Sequence, residues 1–136
     1  MHRIVLDSNV IISGIIFGGN PRKIIEYALQ GSAQCFISLP ILDEIMLVLQ
    51  RPKFNLQANQ ILSIVEELHA LCRVVTPKTK FSVIDDDPDD NKILDCAYAA
   101  AAETIISGDS HLLNLIQWKS IRITTPAEFA DQFISH

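Results

Sequence analysis

The chain has 136 residues, 49% of them hydrophobic and 20% charged, with 5 Gly and 6 Pro, a composition that excludes disordered and fibrous classes and fits one folded domain over residues 1–136. The formal net charge of -5 excludes broad capture of nucleic acid by a basic surface, but carboxylates that hold divalent cations leave nucleic acid open as a substrate. Three separated cysteines, Cys35, Cys72 and Cys96, form no C-x-x-C pair, which points to reduced, buried thiols in a cytoplasmic protein rather than a disulfide frame or zinc site.

Arg3 and the apolar residues after it invite a signal-peptide reading, but Asp7, Ser8 and Asn9 interrupt the run and no small-residue cleavage site closes it. No apolar stretch approaches the ~18 residues that a membrane span needs. The expectation is a soluble, intracellular protein.

In chain order, Ile4-Val5-Leu6 reads as a buried strand ending on Asp7, and Ser8 to Phe17 as a short buried helix. Gly18-Gly19-Asn20 breaks the chain, and Pro21 begins a helix with Ile24, Ile25, Ala28 and Leu29 on one face, ending near Gly31. Cys35-Phe36-Ile37 is a strand, and Ser38 is placed to cap a helix that carries Pro40 in its first turn and runs to Arg51-Pro52. From Gln57 to about Cys72, the spacing of Ile61, Ile64, Val65, Leu68 and Leu71 predicts an amphipathic helix. A strand at Val74-Val75, a polar loop over Lys78–Asp90, a helix over Asn91–Ala102, strands at Thr104–Ser107 and Ile121–Thr124, and a helix over Pro126–Phe133 complete the chain. Alternating strands and helices predict an α/β fold, a three-layer α/β/α sandwich around a mostly parallel sheet.

Two strands end alike, Ile4-Val5-Leu6 in Asp7 and Ile105-Ile106-Ser107-Gly108 in Asp109. In a parallel sheet both ends reach one edge, the edge where open α/β sheets bind ligands. Glu44 lies just inside the helix after the Cys35 strand, and the run Asp85 to Asp90 enters the alanine-rich helix. Each acid has a plainer explanation. Asp43 and Glu44 suit a helix N-terminus, Asp90 suits a helix cap and Asp109 suits a turn. Asp7 resists such accounts because the strand before it is continuously apolar. Crowded carboxylates repel unless a cation joins them, and oxygen ligands select Mg²⁺ or Mn²⁺. Metal-dependent phosphodiester hydrolysis is the chemistry that fits.

Other sites fail on the letters. Where an EF-hand needs glycine, the acidic run has Asp90 or Lys92. An aspartyl phosphatase would have a second acid where Asn9 stands, and no glycine-rich phosphate loop occurs. His2, His69, His111 and His136 are scattered and do not pair with cysteine at zinc spacing.

The series Leu6-Asp7-Ser8-Asn9-Val10 with Ser13, Ser38 to Glu44, Asp87-Pro88-Asp89-Asp90-Asn91-Lys92 before Ala97-Tyr98-Ala99-Ala100, and Ile106-Ser107-Gly108-Asp109 with Leu112-Leu113 resembles the PIN domain, most of all its VapC-like toxin branch. The resemblance implies an Mg²⁺- or Mn²⁺-dependent endoribonuclease acting on RNA and leaving a 5′-phosphate and a free 3′-hydroxyl, with a cognate antitoxin partner and a homodimer. By position, Asp7, Glu44, Asp90 and Asp109 match the metal-binding and catalytic acids, with Asn9, Ser13 and Ser107 as supporting polar groups. A one-residue shift leaves Asp90 or Asn91 as the third acid, with Asp87 and Asp89 nearby; Asp90 is the assignment carried forward. Many members have another acid where this chain has His111. A PIN-like module without activity is the alternative. A phosphate-accepting signalling domain is a third reading, but adjacent acids near the first strand and a lysine after the last are not clearly present.

Overall fold

Strand β1 (His2–Leu6) pairs in parallel with β2 (Ala33–Ile37) on one side and with β4 (Thr104–Ile106) on the other. This is the central relationship of a computed structural model that describes residues 1–134; Ser135 and His136, the last of the four histidines, lie outside the described residues. Ile4, Val5, Leu6, Phe36, Ile37, Ile105 and Ile106 are fully buried. Continuously apolar strands of this kind belong inside a parallel sheet covered on both faces.

Among the described residues six strands run in the order β3-β2-β1-β4-β6-β5, with β3 at Cys72–Val74, β5 at Gln117–Trp118 and β6 at Ile121–Thr124. Every pairing is parallel except that of β5 with β6. Helices α1 (Ser8–Ile16), α2 (Gly19–Leu29), α3 (Leu39–Leu49), α4 (Ala58–Leu71), α5 (Asn91–Ala99), α6 (Ser110–Leu113) and α7 (Pro126–Phe133) complete an α/β/α sandwich. The chain builds β1, β2 and β3 in one direction, then returns past β1 to lay down β4. This reversal is a topological switch point, which opens a crevice at the carboxyl ends of the strands.

Four local details differ from the sequence reading. Strand β3 starts at Cys72, directly after α4 and two residues before the expected Val74, in register with Cys35, and the two Sγ atoms lie 3.2 Å apart as free thiols. The helix expected to reach Ala102 stops at Ala99, because Ala101 turns left-handed at φ +50° and the Arg3 guanidinium caps the Ala100 carbonyl. Ser38 holds the N-cap position of α3 without a side-chain cap bond. Helix α6 and strand β5 are too short for periodicity to reveal.

Gly14 permits the close crossing of α1 and α2, since a Cβ there would stand 2.5 Å from Ile25 Cδ1 and 3.1 Å from the Pro21 main chain. Among the described residues no helix is long and apolar enough to cross a membrane.

Candidate active site

Asp7 leaves β1 at the switch point, and its main-chain N–H donates to the Ile106 carbonyl at 2.9 Å. That bond continues the β1–β4 ladder one step and sets Asp7 opposite the end of β4. Ser107, fully buried, then donates from Oγ to Asp7 Oδ2 at 2.7 Å and accepts from the Asp109 main-chain N–H at 3.0 Å. One hydroxyl thus orients a carboxylate on one strand and the turn that carries the acid of its neighbour.

Asp7 is only 6% exposed. Burial raises its pKa above the ordinary carboxylate value, the Ser107 hydrogen bond opposes the rise, and the charges of Glu44 and Asp109 add to it. The main-chain N–H of Asn9 also supports the carboxylate, whereas the Asn9 residue is itself exposed at the start of α1. Ser13 lies further along α1, half-buried, with no side-chain hydrogen bond to the acids among the described residues.

The acidic loop is held by Asn91, whose carboxamide is buried at the start of α5. Its Oδ1 accepts from the N–H groups of Val83 and Ile84 at 3.0 and 2.9 Å, and its Nδ2 donates to the carbonyls of Ile84 and Pro88 at 2.9 Å each. An amide committed to four loop contacts is a structural clamp, so of the two neighbours that the sequence left open, Asp90 is the one available to a cation. The clamp holds the short 3₁₀ turn Pro88–Asp90, which brings Asp90 beside Asp109 and His111.

There Asp87, Asp90, Asp109 and His111 each offer one donor atom within 4.8 Å of the others. His111 Nδ1 lies 3.4 Å from Asp90 Oδ2 and 3.5 Å from Asp109 Oδ1. Burial and the charges of Asp109 and Asp87 push the Asp90 carboxyl up to about 6, with the His111 contact opposing. Like charges this close favour a cation between them, and three carboxylates with one imidazole form a fitting donor set.

Asp7 and Glu44 fall outside this tightest group. Glu44, on α3, is engaged by Lys92 Nζ, which also pairs with Asp89. The four acids expected together are therefore arranged as Asp90 and Asp109 in the cluster, Asp7 tied to it through Ser107, and Glu44 paired with Lys92 beside it. Sequence reasoning missed the clamp of Asn91 and the pairing of Lys92, and it treated His111 only as a departure. The polar amide and the lysine directly after an acidic run were the available signals.

A family model described as PIN domain matches residues 3–111. The chain belongs to the PIN domain family. PIN domains are in general nucleases and use divalent metal ions, which agrees with the donors gathered at this edge. An uncharacterised protein of Methanocaldococcus jannaschii is 32% identical over 143 residues, an alignment covering 96% of this chain and 91% of the relative. The fold also matches a chain in the crystal structure of VapBC2 from Rickettsia felis bound to a DNA fragment from their promoter. The TM-score is 0.65 and the identity 13%, with 90% of this chain and 98% of that one covered. The PIN match ends at the residue His111, so it spans every acid of the site.

Proposed function

We propose that this PIN domain is a divalent-metal-dependent endoribonuclease and the toxin of a toxin–antitoxin pair. The observation that carries the reading is the convergence of Asp87, Asp90, Asp109 and His111 beside the buried, Ser107-oriented Asp7. Mg²⁺ or Mn²⁺, when bound, supplies Lewis-acid stabilisation of phosphoryl oxygens and lowers the pKa of water. Asp90 and Asp109 would hold it, with Asp87 and His111 completing the donors, and Asp7 presents a fixed anion at the inner wall of the site. Ser107 keeps Asp7 and the Asp109 turn in register. Lys92 pairs with both Glu44 and Asp89 and offsets one of their two negative charges beside the cluster.

The toxin assignment draws on the fold shared with a chain of the VapBC2 structure. Exposed Leu39 and Leu47 on α3 and Leu62 on α4 supply apolar surface suited to an antitoxin or a second copy of the chain. A PIN-like binding module without activity is the second reading, favoured by one observation: Lys92 engages Glu44, an acid expected in the metal shell.

Purified protein and Asp7→Asn should be assayed on single-stranded RNA with Mg²⁺, with Mn²⁺ and with chelator. The expected result is cleavage by the unaltered protein that needs the ion and Asp7. Equal cleavage under all conditions, or none, would reject the nuclease reading. Growth arrest on expression, relieved by Asp7→Asn and by a co-expressed neighbouring small gene, tests the toxin assignment.

A further inference from the structure

Resting on that metal-dependent reading, we infer that His111 is a nitrogen ligand of the cluster and shifts its ion preference away from Mg²⁺ towards first-row transition dications. The placement of the ring follows from a helix cap. Asp109 is the N-cap of α6, and its Oδ1 accepts from the His111 main-chain N–H at 2.8 Å. The cap fixes residue 111 two positions beyond the acid and sets the imidazole edge against the same carboxylate. Nδ1 faces two acids from different elements, Asp90 at 3.4 Å and Asp109 at 3.5 Å.

These separations exceed those of good N–H···O hydrogen bonds, about 2.7–3.2 Å, so neither acid closes fully on the ring. They do match the spacing of ligands around one ion: donors about 2.1 Å from a common centre lie about 3.0 Å apart as octahedral neighbours and about 4.2 Å apart when opposite. The donors of Asp87, Asp90, Asp109 and His111, all within 4.8 Å of one another, span only a little more. The cap uses one carboxylate oxygen of Asp109, and a carboxylate has further lone pairs to give.

The chemistry then decides the preference. Mg²⁺ is a hard ion that takes oxygen donors and keeps its waters, whereas imidazole raises affinity for transition ions along the series from Mn²⁺ to Co²⁺ and beyond. An acid at position 111 would favour Mg²⁺; the histidine here does the reverse.

Metal-free protein, His111→Asp and His111→Ala should be titrated calorimetrically with Mg²⁺ and with Co²⁺ at pH 7.5. The expected result is a preference for Co²⁺ over Mg²⁺ that falls by about tenfold or more in His111→Asp. His111→Ala should lose Co²⁺ affinity by about tenfold while Mg²⁺ affinity changes far less. Pulsed electron paramagnetic resonance of the Mn²⁺-loaded protein should show ¹⁴N coupling, absent from His111→Asp. Because the cap uses the main-chain N–H, both variants should keep the circular dichroism spectrum of the unaltered protein. Binding of both ions with no nitrogen coupling, or with an unchanged preference in His111→Asp, overturns the role of His111 alone. Failure of the unaltered protein to bind either ion overturns the metal-site reading beneath it.

Discussion

Ser107 Oγ donates to Asp7 Oδ2 at 2.7 Å across 100 positions of sequence, and the same oxygen accepts from the Asp109 main-chain N–H at 3.0 Å. This hydroxyl is where β1 and β4 are joined at the edge that carries the acids.

Ser107→Ala removes both bonds and leaves the buried Asp7 oxygen and the Asp109 N–H without their partner. Leaving such groups unpaired costs about 1–3 kcal/mol. Loss of an outer partner of a metal site lowers metal affinity or activity by about 10- to 100-fold. Chemical denaturation and Mn²⁺ titration of the same preparation check the two effects separately. Unchanged affinity would show that Ser107 serves the fold alone.

Asp7→Asn separates function from stability in the opposite direction. The amide can still accept from Ser107 but no longer carries a buried charge facing those of Glu44 and Asp109. The metal-free variant should melt a few degrees higher than the unaltered protein, while ion-dependent cleavage falls by about 10²-fold or more. A lower melting temperature would contradict the strain assigned to this acid.

The pH dependence follows from Asp90, whose carboxyl is pushed up to about 6. Between the ordinary carboxylate value, about 4, and about 6, the folded metal-free protein holds a proton that the unfolded chain has released. Stability must therefore fall as pH rises through this window. Thermal melts of metal-free protein should show a higher midpoint at pH 5 than at pH 7, and Asp90→Asn should flatten the difference. Saturating Mn²⁺ should reverse the trend, because the ion binds the ionised acids. An undiminished slope in Asp90→Asn would assign the proton elsewhere.

Asn91→Ala should release the acidic loop. It removes four hydrogen bonds from Val83, Ile84 and Pro88, at a cost of roughly 2–4 kcal/mol, given about 1 kcal/mol for each bond. Hydrogen exchange of Val83 and Ile84 should accelerate and Mn²⁺ affinity should drop with it, while the amides of β1 stay protected. Unchanged exchange at these two residues would refute the clamp.

Lys92→Met leaves Glu44 and Asp89 without their shared cation. The metal-free variant should be less stable than the unaltered protein, and Mn²⁺ should raise its melting temperature by more, since the ion now relieves additional repulsion. Equal shifts in the two proteins would show that Lys92 does not compensate the site.

Local order made much of this protein legible in its letters. An apolar run closed by Asp7, a second closed by Ser107-Gly108-Asp109, and regular helical spacing between them determined the strands, the helices and the edge at which chemistry was expected. These signals act over a few residues, within reach of strand and helix periodicity. The third acid, the partner of Glu44 and the place of His111 belonged to the tertiary structure. Asp90 and Asn91 are adjacent and both polar, and only the fold turns one inward to clamp Val83 and Ile84 while the other meets Asp109. Glu44 and Lys92 are separated by 48 positions, and their pairing depends on how α3 and α5 pack. The sequence by itself determined that acids would stand at one edge of a parallel sheet. The tertiary structure decided which of them lie together, because electrostatic repulsion, burial and hydrogen bonding depend on distances that sequence spacing does not contain.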